Sequence, residues 1–172
     1  MTESTETITI QVPKSLKDKL EELSDKNQLN MNLLVNQILT KNIQWDDHVT
    51  KMGWLQFDPG TVREIFKYLE EDEFSKITNS VKKDIVNGIK FIYGDSSFEH
   101  TLEFINSWLT ITNIPFRYTI DSESHKFFVN HDLGKNWSLF AIKVSEGFVK
   151  ELGFTIKDFQ SDSNSYGFTI TR

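Results

Sequence analysis

The stretch "TETITIQVPKSLKDKL", Thr5 to Leu20, changes its pattern of apolar residues at Pro13. Before the proline, apolar and polar residues alternate, and the apolar ones are Ile8, Ile10 and Val12. A period of two with β-branched residues is typical of a half-buried strand, and a proline cannot donate to a strand ladder. After the proline, leucines recur at helical spacing, at Leu16, Leu20 and Leu23. The stretch therefore predicts a strand over residues 5–12 that is followed directly by a helix.

The composition is that of a folded protein of modest size. The 172 residues are 38% hydrophobic and 13% aromatic, which suits one domain or two small ones. The absence of cysteine excludes disulfides, thiolate zinc sites and cysteine nucleophiles, and it fits a reducing compartment. No apolar run approaches the roughly 18 residues of a membrane span, and we identify no signal peptide or lipidation motif. We therefore expect a cytoplasmic protein without a membrane partner.

Two helices are predicted after the strand. The first covers residues 15–27, and the second, residues 31–44, starts after Asn30, a residue type that caps helix N-termini. Residues 45–54 lose the helical period and contain Gly53, so we interpret them as a junction. The predicted domains are residues 1–50 and residues 54–172.

The first domain contains one strand and offers no internal partner for it. A homodimer in which residues 5–12 of two chains pair antiparallel would supply that partner. With the alternation "TITIQVP" (Thr7–Pro13), the leucines of the first helix and the second-helix start "LNMNLLVNQIL" (Leu29–Leu39), this domain resembles a ribbon-helix-helix domain. The resemblance implies a β-α-α fold in an intertwined homodimer, with double-stranded DNA as the partner.

The resemblance also implies where DNA would be contacted. In that family the polar face of the ribbon reads bases in the major groove. The corresponding residues here are Thr7, Thr9 and Gln11. The N-terminus of the second helix holds a phosphate in the family, and it maps to Asn30, Met31 and Asn32, where free N–H groups favour an anion. The implied function is a homodimeric, sequence-specific transcriptional regulator.

The charge of the first domain favours an alternative. Residues 1–50 contain five lysines and eight acidic residues, a net charge of −3, and the reading face has no Arg or Lys. Affinity for phosphate depends on the number of neutralised charges. The alternative is therefore a dimeric protein-interaction module, antitoxin-like or scaffolding, in which the ribbon only dimerises.

Residues 54–172 carry the pattern of three helices, a hairpin, a long helix and a second hairpin. This order predicts an α+β domain whose helices pack on a small, mainly antiparallel sheet. The segment "FFVNHDLGKNWSLFAIKVSEGFVKEL" (Phe127–Leu152) is similar to a domain that follows ribbon-helix-helix modules in archaeal proteins. This resemblance implies architecture and not chemistry. We predict a role in regulation, ligand sensing or assembly, with a protein or a small molecule as the partner.

Candidate chemistry in this domain is limited to "NHDLGKNW" (Asn130–Trp137). His131 and Asp132 end a predicted strand, and they form a possible auxiliary site that binds a metal or acts as a base. The alternative is structural, with Asp132 capping the next helix. The four histidines show no H-x-x-x-H spacing, and the sequence contains no P-loop, G-x-S-x-G or G-x-G-x-x-G. We therefore predict no enzymatic activity, no metal and no cofactor.

Aromatic residues are dense in the first half of this domain. They are Phe91, Tyr93, Phe98, Phe104, Trp108, Phe116 and Tyr118. A domain of this size needs a core, and we predict that these rings form it. The alternative is that they line an apolar pocket for a small molecule.

Overall fold

The computed structural model describes residues 5–172, and the chain divides into two compact units, residues 1–50 and 51–172. In the first unit, α1 spans Lys14–Lys26 and α2 spans Met31–Lys41. A π-helical segment, Asn42–Asp46, follows, and α3 (Asp47–Met52) leads into the second unit. The helical backbone therefore continues through most of the segment that we interpreted as a junction.

The strand predicted over residues 5–12 is absent. Residues 5–13 have no regular secondary structure, and Ile8 and Ile10 are 83% and 60% exposed. A strand needs a neighbour that completes its ladder of hydrogen bonds, and no other part of residues 5–172 pairs with this segment. The prediction of a ribbon-helix-helix fold is therefore wrong, and the intertwined homodimer that followed from it is not shown.

Local signals set the turn between α1 and α2. Gln28 adopts a φ of +55°, which reverses the chain after α1. Asn30 then caps α2, because its Oδ1 accepts a hydrogen bond from the N–H of Leu33 at 2.8 Å.

The second unit combines helices with one sheet, so the predicted α+β class is confirmed. Its helices are α4 (Pro59–Tyr68), α5 (Glu71–Tyr93), α6 (Phe98–Ile111) and α7 (Lys135–Glu151). Its strands are β1 (Phe116–Asp121), β2 (Ser124–Asn130), β3 (Thr155–Ser161) and β4 (Ser165–Thr171). No helix among residues 5–172 has the length and apolar character that crossing a bilayer requires.

The four strands form one sheet in the order β1-β2-β4-β3, and every neighbouring pair is antiparallel. Burial alternates along β2, whereas β4 is buried at six consecutive residues. Phe127 pairs with Phe168, and Val129 pairs with Tyr166. Side chains of alternate residues point to the same face of a strand. This register therefore builds the apolar face on which the helices pack.

Helix α7 packs against α5 on one side and against β3 and β4 on the other. It approaches α5 closely at Gly147, where an added Cβ would lie 3.3 Å from Cδ of Lys82. The helix ends at Glu151, Gly153 follows with a φ of +84°, and the N–H of Phe154 donates to the carbonyl of Val149 at 3.1 Å. This pattern is a Schellman cap, and it turns the chain directly into β3.

We predict that Phe74→Ala lowers the free energy of unfolding by about 3–5 kcal/mol, because a fully buried ring leaves a cavity that its neighbours only partly fill. Phe74 is 0% exposed, and its ring lies 6.1 Å from that of Phe140. Urea unfolding measures the change. Leu55→Ala is the control, since Leu55 is 79% exposed and its loss should change stability by less than about 0.5 kcal/mol. Equal effects of the two substitutions would contradict the assigned core.

Candidate functional site

An apolar pocket of about 350 Å³ lies inside the second unit, between its helices and its sheet. This volume falls in the range of roughly 300–1,000 Å³ that is typical of small-molecule sites. The lining comes from α5, α6, α7, β4 and the segment before α4. It consists of Trp54, Val81, Asp84, Ile85, Phe104, Ile105, Trp108, Leu109, Trp137, Phe140, Ala141, Val144, Ser145, Phe148, Tyr166 and Phe168.

Helical spacing brings the α7 residues to the pocket. They are Trp137, Phe140, Ala141, Val144, Ser145 and Phe148. Their separations of three and four residues place them on one face of the helix. Pairs at the same spacing on α6, Phe104 with Trp108 and Ile105 with Leu109, form the facing wall.

Contacts between rings hold the aromatic walls in place. Trp54 meets Phe104 edge to face at 6.2 Å between ring centroids. Trp137 meets Phe66 edge to face at 4.8 Å and lies 5.9 Å from Phe140. Such edge-to-face pairs favour one orientation of each ring. The rings therefore line the pocket without collapsing into it.

The indole N–H of Trp137 is buried, and it has no hydrogen-bond partner within the described chain. Most buried polar groups in proteins are paired, and an unpaired donor costs about 1–3 kcal/mol. Trp137 lines the pocket with its ring, while its N–H is closed off by protein atoms. The unpaired N–H is therefore a cost of burying this ring.

Two further polar residues line the pocket, Tyr166 and Asp84. Burial raises the pKa of the Tyr166 phenol, so this group stays neutral and can donate or accept a hydrogen bond. Asp84 is exposed to solvent as well as to the pocket, which places its carboxylate where the pocket meets the surface. It forms no ion pair with any residue in the described part of the chain.

His131 belongs to a buried structural network. Its Nδ1 accepts a hydrogen bond from the N–H of Leu133 at 2.9 Å, so the proton of the neutral ring lies on Nε2. Nε2 lies 2.8 Å from Oγ of Ser138, and that hydroxyl donates to the carbonyl of Asp162 at 2.7 Å. Both ring nitrogens are engaged, and the network joins the end of β2 to α7 and to the turn before β4.

Asp132 does not join His131 in a site. Its carboxylate is exposed and accepts from Arg63 at 3.2 Å, and Arg63 also donates to the Asp132 carbonyl. The predicted cap is wrong as well, because the residue that precedes α7 is Gly134, which has a φ of +90°. The two residues of the predicted auxiliary site therefore serve separate contacts. Among residues 5–172, no cluster of three or more His, Cys, Asp or Glu is arranged to hold a metal.

The predicted DNA contacts lie in the first unit. Thr7, Thr9 and Gln11 are exposed in the segment that forms no strand. Asn30 uses its side chain to cap α2, and next to it Met31 is half-buried and Asn32 is exposed. The roles predicted for these residues depended on a two-stranded β-ribbon, and residues 5–12 form no strand in the structure.

Most of the pocket residues were not predicted from the sequence to line a binding site. For two of them, the sequence did suggest a pocket as an alternative. Phe104 and Trp108 belong to the aromatic set for which a pocket was the alternative to a core. Other members of that set behave differently, since Phe98 is buried and Phe91 is exposed. The spacing of apolar residues on α7 predicts a buried face, but it does not distinguish a filled interface from a hollow one.

No protein-family model and no curated protein matches the sequence. Matching solved structures include a mutant of T. Tengcongensis H-NOX, with 13% identity, a TM-score of 0.39, and coverage of 91% of this chain and 94% of that chain. An oxygen-binding H-NOX domain related to soluble guanylate cyclases has 12% identity, a TM-score of 0.39, and coverage of 91% and 90%. A Cs H-NOX mutant has 12% identity, a TM-score of 0.40, and coverage of 81% and 94%. Likeness at this level does not establish a common fold.

The prediction of a DNA-binding transcriptional regulator is wrong. The strand that would read DNA does not form in residues 5–12, so the resemblance that implied this function has lost its basis. Double-stranded DNA is therefore not retained as a partner. The alternative of a dimeric interaction module needed the same ribbon, and it is not supported either.

Acid should weaken the fold through His131. Burial lowers the pKa of this ring below its usual 6.5, although Asp162 and Asp132 act in the opposite direction. A depressed histidine pKa means that the unfolded chain binds the proton more readily, so the stabilisation is complete above pH 6.5 and is lost as the pH falls towards the folded-state pKa.

We predict that the wild type loses more unfolding free energy between neutral and mildly acidic pH than His131→Gln does, because glutamine does not titrate. Urea unfolding of both proteins across this pH range measures the difference. The same pH dependence in both proteins would contradict the assigned role of His131.

Proposed function

We propose that the second unit binds a small, largely apolar organic molecule in the pocket between its helices and its sheet. The observation that carries the proposal is a pocket of about 350 Å³ with aromatic walls. An apolar pocket with a few convergent polar groups is the usual form of a ligand site. A ligand with an apolar body would fill the space.

Binding without catalysis is part of the proposal. A catalytic pocket needs a base within hydrogen-bond reach of a nucleophile or of a substrate proton. The side chain nearest to this description, His131, already uses both ring nitrogens within the fold.

We also propose a cytoplasmic location, because the sequence contains no cysteine.

Heme is not the ligand that this pocket fits. Two of the matching solved structures concern heme redox potential and heme distortion in the H-NOX family. Heme iron in proteins is held by His, Cys, Met or Tyr, and the pocket lining offers only Tyr166, whose raised pKa disfavours the phenolate. The lining also contains no Lys, Arg or His to pair with the two carboxylates of a heme. We therefore propose an organic ligand without a metal.

The proposal predicts that filling the pocket abolishes binding. Ala141 lines the pocket, so Ala141→Phe places a ring in the space that a ligand would occupy. We expect binding of phenylpropanol, a neutral apolar probe, to fall at least about tenfold, since the ring takes the apolar area available to the probe. Intrinsic fluorescence measures binding, because Trp54, Trp108 and Trp137 line the pocket.

The matched control is Ile142→Phe, which adds a ring at the next position of α7, outside the pocket lining. This variant should bind phenylpropanol as the wild type does. Loss of binding in both variants, or in neither, would contradict the assignment of the pocket. Urea unfolding of each variant separates loss of the site from loss of the fold.

A further inference from the structure

The charges around the pocket restrict the ligand further. Asp84 is the one charged residue of the lining, which contains no Lys, Arg or His. A carboxylate or phosphate ligand would meet no positive group there, and it would be repelled by Asp84. The lining therefore disfavours organic acids.

Asp84 also forms no ion pair with a residue in the described part of the chain. Of the two lysines directly before it in α5, Lys82 pairs with Glu151 at 3.2 Å, and Lys83 is exposed and forms no ion pair with a described residue. A carboxylate at the mouth of an apolar pocket gains from a cation more than a carboxylate in open water does, because the low dielectric of the walls strengthens the attraction.

The walls themselves favour positive charge. Trp54, Trp108 and Trp137 line the pocket together with the rings of Phe104, Phe140, Phe148, Tyr166 and Phe168. The face of an aromatic ring is electron-rich and attracts ammonium groups, and tryptophan does so most strongly. Pockets that bind quaternary or alkylated ammonium ligands are commonly built from such rings.

We propose that the molecule bound in this pocket is an apolar organic cation, an amine or ammonium compound whose nitrogen faces Asp84 while its apolar body lies among the tryptophans. The proposal rests on the proposed function of the pocket and names the class of its ligand. The aromatic rings contact the apolar body of the ligand and shield its positive charge from water. The carboxylate of Asp84 is the counter-ion of that charge.

Three probes with the same phenylpropyl body test the charge preference: phenylpropylamine, phenylpropanol and phenylpropionate. At neutral pH they are a cation, a neutral molecule and an anion. We expect the full-length wild type to bind the amine about tenfold more tightly than the alcohol, from ion pairing and cation–π contact together, and the anion most weakly. Calorimetric titration at low ionic strength measures all three affinities.

The substitution Asp84→Asn removes the charge and keeps the shape of the side chain. It should reduce the affinity for the amine severalfold more than it changes the affinity for the alcohol. The charge-matched control is Asp121→Asn, which removes an exposed carboxylate at the end of β1 that pairs with Lys126 and lies outside the pocket lining. This control should leave the order of the three affinities as it is in the wild type.

The outcomes separate this inference from the proposed function. Tighter binding of the amine that depends on Asp84 supports both. Equal binding of the amine and the alcohol, or an amine preference that survives in Asp84→Asn, overturns the ligand class and leaves the pocket as a binding site. If none of the three probes binds, the proposed function fails and the inference fails with it.

Discussion

The packing of α7 between α5 and the sheet is the constraint on which the second unit depends. This helix contacts α5 on one side and β3 and β4 on the other, so its side chains pack against two different surfaces. Small residues permit the close side, where Gly147 meets Lys82 and Thr78 of α5. Its rings also reach the neighbouring helices, since Trp137 meets Phe66 of α4 and Phe140 meets Phe74 of α5. The position of α7 therefore fixes the distance between helices and sheet.

The pocket is a consequence of that packing. Protein interiors are normally filled to the density of organic crystals, so a space of about 350 Å³ among aromatic rings stands out from an ordinary core. Its walls are held by ring contacts with outside neighbours, such as that between Trp137 and Phe66. The same contacts bury the indole N–H of Trp137 without a partner. Walls held by outside neighbours are the observation behind the proposed ligand site.

The polar groups of this unit fall into two kinds. The ring of His131 is satisfied on both nitrogens, by Leu133 and Ser138, and Ser138 passes the network on to the turn before β4. Such a network fixes the fold and leaves no group free for chemistry. Asp84 and Trp137, by contrast, have no protein partner within the described residues. The sequence indicated His131 as a candidate because it ends a predicted strand. Asp84 and Trp137 lie on helices, and no local sequence pattern indicated that they would lack partners.

The sequence by itself determined the elements of the second unit, because helix period, strand alternation and the turn residues around Gly94, Gly134 and Gly153 are local properties. It also predicted a strand at residues 5–12 that does not form. Alternation of apolar residues describes a single strand, and it does not provide the neighbouring strand with which that strand must form hydrogen bonds. Only the tertiary structure decided that Phe104, Trp108 and the rings of α7 enclose a space. Whether facing rings interlock or stand apart depends on the distance between elements, and this distance is set by contacts far apart in the chain.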